Sequence, residues 1–316
     1  MSENVYHIPA MLSECIAGLD IKPGGTYVDA TFGGGGHSRA IIEAMGSREN
    51  VMGHLYSFDQ DIDAYANRIS DTRFTFVHSN FRYLANFMRY YGVGEVDGIL
   101  ADLGVSFHHF DTAERGFSFR ADAPLDMRMN RSGSLTARQM INEYSDEHLA
   151  AILRTYGDLK RPGPIVKAIL KARGSAAIDS TGQLLDILTP AINPRQQKKE
   201  LAQVFQALRI EVNGEMQALA DFLTATERVL RPGGRLVILT YHSLEDRMVK
   251  NFMRSGNIEG RIEKDFFGRN LCPWKTVGRQ PLAPTESEIE RNPRARSARL
   301  RIAEYSPVII NEDTAN

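Results

Sequence analysis

The sequence predicts an α/β fold in which a doubly wound parallel sheet is interrupted by an inserted helical domain. Three observations lead to this prediction. Apolar strand-like segments alternate with helix-like segments over residues 9–102, as in parallel sheets with right-handed crossovers. The first of these strands runs into four consecutive glycines and then a helix. The alternation stops between Phe107 and Leu208, which is too long for a structureless loop, and then resumes.

The glycine-rich stretch Tyr27-Val-Asp-Ala-Thr-Phe-Gly-Gly-Gly-Gly-His-Ser-Arg39 is central to the predicted sheet. Residues 27–30 have the pattern of a short buried strand, Gly33–Gly36 that of a tight turn, and residues 39–45 that of a helix. Glycines let the chain turn tightly and let a ligand approach the backbone. A strand, a glycine turn and a helix N-terminus together suit the anionic or polar part of a nucleotide-like ligand. The alternative is a hairpin or a purely structural loop.

Periodicity places the other elements of the first half. A helix is expected over residues 9–20, where apolar side chains recur on one face. The expected strands are Leu55–Phe58, Phe74–Val77 and Val96–Ala101, and further helices are expected around residues 62–69 and 83–88. Two of these strands end at an aspartate, Asp59 or Asp102.

The second half begins with the insert. Its helix-like segments are residues 146–156, 164–173 and 181–188. The sheet pattern resumes with a helix at 215–230, a strand at 235–240, a helix to about Met253, and a final strand at 298–303 with one expected exposed face. The predicted domains are a sheet domain in two parts, 1–108 and 209–316, and an inserted helical domain, 109–208.

Composition excludes some classes of protein. The chain has 316 residues, of which 42% are hydrophobic and 24% are charged, as in a soluble protein with a real core. Its net charge of −1 gives no general indication of nucleic-acid binding. Cys15 and Cys272 lie far apart and form no metal-ligand spacing, which favours a reduced, cytoplasmic protein. No signal-peptide pattern and no run of 18 apolar residues is present, so no membrane segment is expected.

Asp59 and Asp102 are the first candidate site residues. Asp59 follows Gly33 by 26 residues (59 − 33), where an acidic residue accepts hydrogen bonds from ribose hydroxyls in glycine-turn nucleotide folds. Asp102 ends the fourth strand, beside the point at which ligands bind in open sheets. A carboxylate there can accept a hydrogen bond from a substrate amino group. For Asp59 the alternative is a helix N-cap, which is compatible with ribose binding, and for Asp102 the alternative is a cap or an aspartate that orders the loop.

The histidines give weaker indications. His37 lies one residue past the glycines and can bond either a ligand carboxylate or the loop backbone. His108 and His109 have no cysteine or acidic partner at ligand spacing, which favours pocket-wall or stacking groups over zinc ligands. His242-Ser243 lacks the Gly-x-Ser-x-Gly elbow of a hydrolase, so Ser243 and Glu245 are expected to begin a helix.

Basic side chains form three local clusters, in the insert, just after it and near the C-terminus. Such clusters suit phosphate contacts, although most runs of charge are solvated faces. The clusters are Lys160, Arg161, Lys167, Lys171 and Arg173; Arg195, Lys198 and Lys199; and Arg291, Arg294, Arg296, Arg299 and Arg301.

Seven sequence blocks run in order along nearly the whole chain. They are Asp29-Ala-Thr-Phe-Gly-Gly-Gly-Gly-His-Ser-Arg39, Asp97-Gly-Ile-Leu-Ala-Asp-Leu-Gly-Val-Ser106, Ala113-Glu-Arg-Gly-Phe-Ser-Phe119, Pro124-Leu-Asp-Met-Arg-Met129, Phe205-Gln-Ala-Leu-Arg-Ile-Glu-Val-Asn213, His242-Ser-Leu-Glu-Asp-Arg247 and Asn292-Pro-Arg-Ala-Arg-Ser297. Together they closely resemble the motifs of the bacterial 16S ribosomal RNA cytosine-N4 methyltransferases, the family known as RsmH and formerly as MraW.

The resemblance implies a methyltransferase that depends on S-adenosyl-L-methionine. Its fold would be a Rossmann-like sheet with an inserted helical domain for substrate recognition. The implied reaction is methylation of the exocyclic N4 of a decoding-centre cytosine in 16S rRNA. The implied partner is therefore 16S rRNA within the small ribosomal subunit, in the cytoplasm and without a membrane. The oligomeric state stays open, a homodimer included.

The resemblance also assigns site residues by motif. The implied cofactor contacts are Gly35, Gly36, His37, Asp59, Phe81 and Asp102. His109 stands where the family has a further contact, a Gln. The mechanism is a separate hypothesis, in which Asp102 is the candidate catalytic residue and accepts the N4–H bonds of the cytosine, with help from the backbone carbonyls of Leu103 and Gly104. In the same hypothesis, Phe107, Phe110 or Phe119 stacks on the base.

Two other functions remain open from the sequence. One is a nicotinamide-dependent dehydrogenase on the same type of sheet, for which the glycine spacing is poor. The other is a ribosome assembly factor that binds RNA without catalysis. The first predicts tight dinucleotide binding, and the second predicts subunit binding without methyl transfer.

Overall fold

The computed structural model describes residues 9–46, 53–104, 113–279 and 281–307. The chain divides into two compact units. One, the sheet unit, comprises residues 1–104 and 217–316, and the other, the helical unit, comprises residues 105–216. In the described part of the chain, no helix is both long and apolar enough to cross a membrane.

The sheet unit is built on seven strands within the described residues. They are β1 Thr26–Asp29, β2 His54–Asp59, β3 Phe74–His78, β4 Val96–Asp102, β5 Leu230–Thr240, β6 Trp274–Thr276 and β7 Arg299–Tyr305. Their spatial order is β3-β2-β1-β4-β5-β7-β6. The pairs from β3 to β5 are parallel, and β7 is antiparallel to both β5 and β6. The predicted fold class, a Rossmann-like doubly wound sheet, is confirmed.

Helices connect the strands and form the insert. Those of the described segments are α1 Leu12–Leu19, α2 Gly36–Ala44, α3 Leu84–Tyr90, α4 Ala137–Glu143, α5 Asp146–Thr155, α6 Gly163–Arg173, α7 Thr181–Leu188, α8 Gln197–Asn213, α9 Glu215–Thr226, α10 Ser243–Ser255 and α11 Glu286–Arg291. The segment expected as a helix at 62–69 is instead a 3₁₀ helix, Ile62–Asn67.

The central strands are buried on both faces. Ile99–Ala101 of β4 and Leu236–Leu239 of β5 have no exposed surface. Such continuous apolar runs are typical of parallel strands that helices cover on both sides. One core cluster of the sheet unit joins α1 and α2 to the strands, with Tyr27, Leu55 and Leu100 among its fully buried members. The carboxyl ends of these strands are therefore anchored in a packed core.

The helical unit has a hydrophobic core of its own. Ala137, Met140, Ile169, Leu184 and Leu208 are all fully buried in it. Local sequence signals start its helices: capping boxes pair Thr136 with Gln139 at α4, and Ser180 with Gln183 at α7. These caps satisfy N–H groups that would otherwise lack partners at the first turn of each helix.

Several expectations about elements were wrong or incomplete. The final strand does not have one exposed face, because β7 lies between β5 and β6 and Leu300–Ala303 are buried. Strand β5 begins at Leu230, so it includes residues 231–234, which were expected to separate the helix at 215–230 from the strand at 235–240. The three-residue strand β6 and the helices α4, α8 and α11 were not predicted as elements.

Candidate active site at the carboxyl ends of the strands

Three aspartates end neighbouring strands of the sheet. Asp29 ends β1, Asp59 ends β2 and Asp102 ends β4. In the order β3-β2-β1-β4-β5, the chain runs in one direction from β1 to β3 and in the other from β4 to β5. The crevice between β1 and β4 is therefore the switch point at which open α/β sheets bind ligands. Asp29 and Asp102 flank that crevice, and Asp59 lies one strand away.

The glycine turn has a backbone conformation that is unfavourable for residues with a side chain. Gly33 and Gly35 have φ of 51° and 74°, in the left-handed region. A Cβ on Gly35 would lie 2.9 Å from the ring of Phe32, whereas a Cβ on Gly33 would meet no described atom within 4 Å. Gly35 is the N-cap of α2 and Gly36 its first residue, so this helix starts three residues earlier than the expected Arg39. The space beside Gly33 and the N–H groups of the first turn of α2 suit a polar ligand.

Asp59 ties the glycine turn to the end of β2. Its Oδ2 accepts the Gly33 N–H at 2.8 Å, and its Oδ1 accepts the Asp61 N–H at 2.8 Å. Burial raises the pKa of Asp59 to about 7. The helix-cap alternative for Asp59 is wrong, because Asp61 caps the following 3₁₀ helix by accepting the Asp63 N–H. Asp59 is therefore positioned by the loop and keeps lone pairs for a ligand hydroxyl.

Asp102 is held by a tyrosine from a distant part of the sequence. The hydroxyl of Tyr241 donates to Asp102 Oδ1 at 2.7 Å, and the Asp102 N–H donates to Thr31 Oγ1 at 2.7 Å. The pKa of Asp102 is raised, chiefly by burial, while His37 and the Tyr241 hydrogen bond lower it. Its side chain is 14% exposed. A fixed, little-solvated carboxylate of raised pKa is a good acceptor for a substrate proton.

His37 lies between the backbone of residue 10 and Asp102. Its Nε2 is 3.1 Å from the Ala10 carbonyl oxygen, and its Nδ1 is 3.7 Å from Asp102 Oδ2. A carbonyl oxygen only accepts hydrogen bonds, so the Nε2 atom of His37 carries a proton. The Nδ1 atom, which faces Asp102, bears either a lone pair or a second proton. The ring is buried, and its position is fixed by these two neighbours.

Asp29 is a site residue that sequence reasoning did not select. Its Oδ2 accepts from Ser38 Oγ at 2.6 Å and its Oδ1 accepts from the Thr31 N–H at 3.0 Å. Ser38 Oγ also lies 2.8 Å from Ser57 Oγ of β2. Burial raises the pKa of Asp29. The signal was available, since Asp29 ends its strand as Asp59 and Asp102 do. Tyr241 was also missed, because nothing local links it to Asp102.

Phe81 follows the carboxyl end of β3, which lies beside the carboxyl end of β2 and Asp59 because the two strands are parallel. The N–H of Ser79 donates to the Asp59 carbonyl at 2.9 Å, which brings this segment to the end of β2. The Phe81 ring is partly exposed and contacts Phe222 edge-on, with centroids 5.2 Å apart. His109, and with it His108, Phe107 and Phe110, lies outside the described residues. Phe119 packs against Phe205 in the core of the helical unit, with centroids 5.3 Å apart.

The histidine after β5 caps a helix. The Nδ1 of His242 accepts the Glu245 N–H at 3.4 Å, and Glu245 Oε2 accepts the Tyr241 N–H at 2.9 Å. His242 is therefore the N-cap of α10, and Ser243 is its first residue. The expectation that Glu245 begins this helix is confirmed.

The three basic clusters differ in exposure. Lys160, Lys167 and Lys171 are exposed, as are the residues of the cluster at 195–199. In the C-terminal cluster, Arg301 is buried and donates to both carboxylate oxygens of Asp246, at 2.8 and 2.9 Å. Arg301 is therefore a structural ion-pair residue, and its assignment to a phosphate-binding cluster was wrong.

Comparison with known proteins places the chain in a family. Residues 4–306 match the model of the MraW methylase family. The ribosomal RNA small subunit methyltransferase H of Phocaeicola vulgatus is 57% identical over 303 residues, which covers 96% of this chain and 98% of that protein. The proteins of the same name from Bacteroides thetaiotaomicron and Christiangramia forsetii are 56% and 50% identical, covering 96% and 94% of this chain and 98% and 97% of theirs.

These matches run through the sheet unit and the helical unit alike. They confirm the family that the seven sequence blocks resemble, and a methylase agrees with the expected S-adenosyl-L-methionine cofactor. A nicotinamide-dependent dehydrogenase is accordingly set aside. The chain belongs to the MraW methylase family.

Proposed function

We propose that this chain transfers the methyl group of S-adenosyl-L-methionine to the exocyclic N4 of a decoding-centre cytosine in 16S rRNA, within the small ribosomal subunit in the cytoplasm. Relatives of at least 50% identity are named as small-subunit rRNA methyltransferases, which supports the substrate class. The observation that carries the proposal is Asp102, a carboxylate of low exposure at the switch point, held by the Tyr241 hydroxyl at 2.7 Å.

The residues at the strand ends fit the cofactor. When bound, S-adenosyl-L-methionine supplies an electrophilic methyl group on a sulfonium. The N–H groups of the first turn of α2, at Gly36 and His37, suit its carboxylate. Asp59 suits its ribose hydroxyls, and the open side of Gly33 leaves room for a ligand against the backbone. We assign Gly35, Gly36, His37, Asp59, Phe81 and Asp102 as cofactor contacts, together with His109, which lies outside the described residues.

Asp102 is suited to activate the methyl acceptor, the exocyclic N4 of cytosine. The lone pair of cytosine N4 is delocalised into the ring, so N4 is a poor nucleophile. A carboxylate that accepts an N4–H bond helps to localise that lone pair, and no covalent bond to the base is needed. The raised pKa of Asp102 also makes it a better acceptor of the proton that N4 must lose. The Tyr241 hydroxyl holds the carboxylate in one orientation.

The helical unit is proposed to recognise the RNA. Exposed cations, among them Lys160, Lys167, Lys171, Lys198 and Lys199, are available on its surface for phosphate contacts. Phe119, on the edge of its core, is a candidate for stacking on a base. Both assignments follow from side-chain chemistry and from the resemblance of the chain to its family.

The test is methyl transfer from labelled S-adenosyl-L-methionine to small subunits that lack this modification, with free 16S rRNA alongside. We expect label on the N4 of one cytosine in subunits and none in free RNA. An Asp102→Asn variant should lose at least about a hundredfold in rate when the cofactor is saturating, and a variant that binds the cofactor normally and keeps the full rate would refute the role of Asp102. Label on another atom would refute the N4 assignment, and cofactor binding without transfer to either substrate would favour a binding role.

A further inference from the structure

A hairpin near the C-terminal end of the sheet unit presents two exposed phenylalanines. Phe266 is 97% exposed and Phe267 is 72% exposed. Their rings meet edge to face, with centroids 5.7 Å apart. Large apolar side chains are rarely left in water in pairs unless they serve an interaction. We call residues 263–271 the aromatic turn.

The exposure of these rings is not due to a lack of local structure. The ends of the turn are bridged, with the Leu271 N–H donating to the Glu263 carbonyl at 2.9 Å. Asp265 organises the tip, because its carboxylate accepts from the N–H groups of Phe267 and Arg269 and from Arg269 Nε, at 2.6–2.9 Å. The Arg269 guanidinium lies over the Phe267 ring, 5.3 Å from its centroid. The turn therefore holds its aromatic rings out in a defined geometry.

Helix α10, which leads towards this turn, has a basic outer face. Its exposed side chains are Ser243, Arg247, Lys250 and Arg254. Spacings of four, three and four residues put them on one stripe of the helix. We call Arg247, Lys250 and Arg254 the basic ridge. The acidic residues of this helix are elsewhere: Glu245 is buried and Asp246 is paired with Arg301.

The ridge and the turn are physically connected. Arg254 Nη2 donates to the Gly260 carbonyl at 3.2 Å, and Asn251 Nδ2 donates to the Ile258 carbonyl at 3.1 Å. The chain between the helix and the turn is thus fastened to the last turns of α10. At its other end, α10 directly follows β5 and Tyr241, which contacts Asp102. The surface therefore extends outwards from the proposed catalytic end of the sheet.

The two parts differ in charge. The segment around the turn is balanced, because Arg261, Lys264 and Arg269 offset Glu259, Glu263 and Asp265. The ridge has three cations on its exposed stripe and no acid. Cations next to exposed aromatic rings are the combination with which proteins hold unpaired nucleotides: the cations contact phosphates and the rings stack on bases. A protein partner that binds the two rings in an apolar pocket would not require a ridge with excess positive charge.

We infer that the basic ridge and the aromatic turn form one binding surface for unpaired ribosomal RNA, separate from the cytosine that is methylated. This inference rests on the proposed rRNA substrate and adds a contact outside the methyl-transfer site. Arg247, Lys250 and Arg254 hold phosphates, and Phe266 and Phe267 stack on splayed bases. The surface raises the affinity for the subunit and has no part in the chemical step.

The two halves of the surface make different experimental predictions. The full chain is used, with unmethylated small subunits and a range of salt concentrations. Phe266→Ala/Phe267→Ala should weaken subunit binding about tenfold or more without changing the salt dependence. Arg247→Gln/Lys250→Gln should lower the slope of log affinity against log salt by about 0.7–1 per side chain. In methylation assays, both variants should raise KM for subunits and leave kcat and cofactor affinity unchanged.

Controls come from helix α3, which has an exposed cation and an exposed ring side by side. Arg89→Gln and Tyr90→Ala should leave affinity and salt slope as in the wild type. Phe266→Trp/Phe267→Trp should restore binding, because any flat aromatic ring can stack, whereas Phe266→Leu/Phe267→Leu should not. Wild-type affinity in the alanine double variant, or rescue by leucine, would overturn the inference.

A photo-crosslinking residue at position 266 identifies the partner. The expected adduct is with 16S rRNA, and an adduct with a ribosomal protein would overturn the inference in favour of a protein partner. Failure here is distinct from failure of the proposed function. If the wild type does not methylate subunits but shows the ridge-dependent salt slope and the rRNA adduct, the proposed reaction is wrong and the binding surface stands. If the wild type methylates subunits and both variants bind them as the wild type does, the proposed reaction stands and the binding surface is wrong.

Discussion

Cofactor binding should release protons at neutral pH, and Asp59 should be their source. Without a ligand, burial raises the pKa of this carboxyl group to about 7, even though it accepts the N–H groups of Gly33 and Asp61. Two ribose hydroxyls that donate to it, and the positive sulfonium, favour the ionised form and lower its pKa. At about pH 6.5, a group with a pKa of about 7 is roughly three-quarters protonated, so about 0.7 proton should leave on binding. Above about pH 8.5 the release should fall below about 0.1.

The assay is calorimetric titration of S-adenosyl-L-methionine into the protein in two buffers that differ in ionisation enthalpy. The difference in apparent binding enthalpy gives the number of protons released. Asp59→Asn should bind more weakly and release almost none, while Asp186→Asn, a change at an exposed aspartate of α7, should behave as the wild type. Equal proton release by wild type and Asp59→Asn would refute the assignment of Asp59 to the ribose.

Three further changes test the site and its supports. Tyr241→Phe removes a hydrogen bond that lowers the pKa of Asp102, so that pKa should rise further. The acidic limb of the pH–rate profile for methylation should then move to higher pH, whereas Tyr90→Phe should leave the profile unchanged. An unchanged pH–rate profile for Tyr241→Phe would contradict a role for ionised Asp102. Gly35→Ala combines backbone strain at positive φ with a Cβ 2.9 Å from the Phe32 ring, whereas Gly33→Ala has the backbone strain alone. In chemical denaturation, Gly35→Ala should therefore lower the free energy of unfolding by about 1 kcal/mol or more beyond the loss in Gly33→Ala. Equal costs would mean that Phe32 moves aside. Arg301→Ala should lower the free energy of unfolding by about 3 kcal/mol, because it leaves Asp246 without its bidentate partner. The matched change at an exposed arginine, Arg299→Ala, should lower it by less than about 0.5 kcal/mol. Similar losses in the two variants would show that the Arg301–Asp246 pair does not stabilise the fold.

The sequence predicted most of what is local in the site. Asp59 and Asp102 follow apolar strand segments, and the glycines of the turn include two positions with positive φ. Helix α7 has the expected bounds, Thr181–Leu188, because a capping box marks its start within a few residues. Alternation of strands and helices requires parallel pairing with crossovers, so the fold class also followed from the sequence.

Contacts between residues far apart in the chain were decided only by the tertiary structure. Tyr241 and Asp102 are 139 residues apart, and they meet because β4 and β5 pair in parallel and bring their carboxyl ends together. The pairing of Arg301 with Asp246 and the burial of β7 likewise depend on which strands become neighbours. Periodicity reports which face of an element is apolar, but not the element that will cover it. The sequence alone therefore determined the strands, the glycine turn and the carboxylates at the strand ends, while the packed sheet determined which side chains hold those carboxylates and which charged side chains are paired.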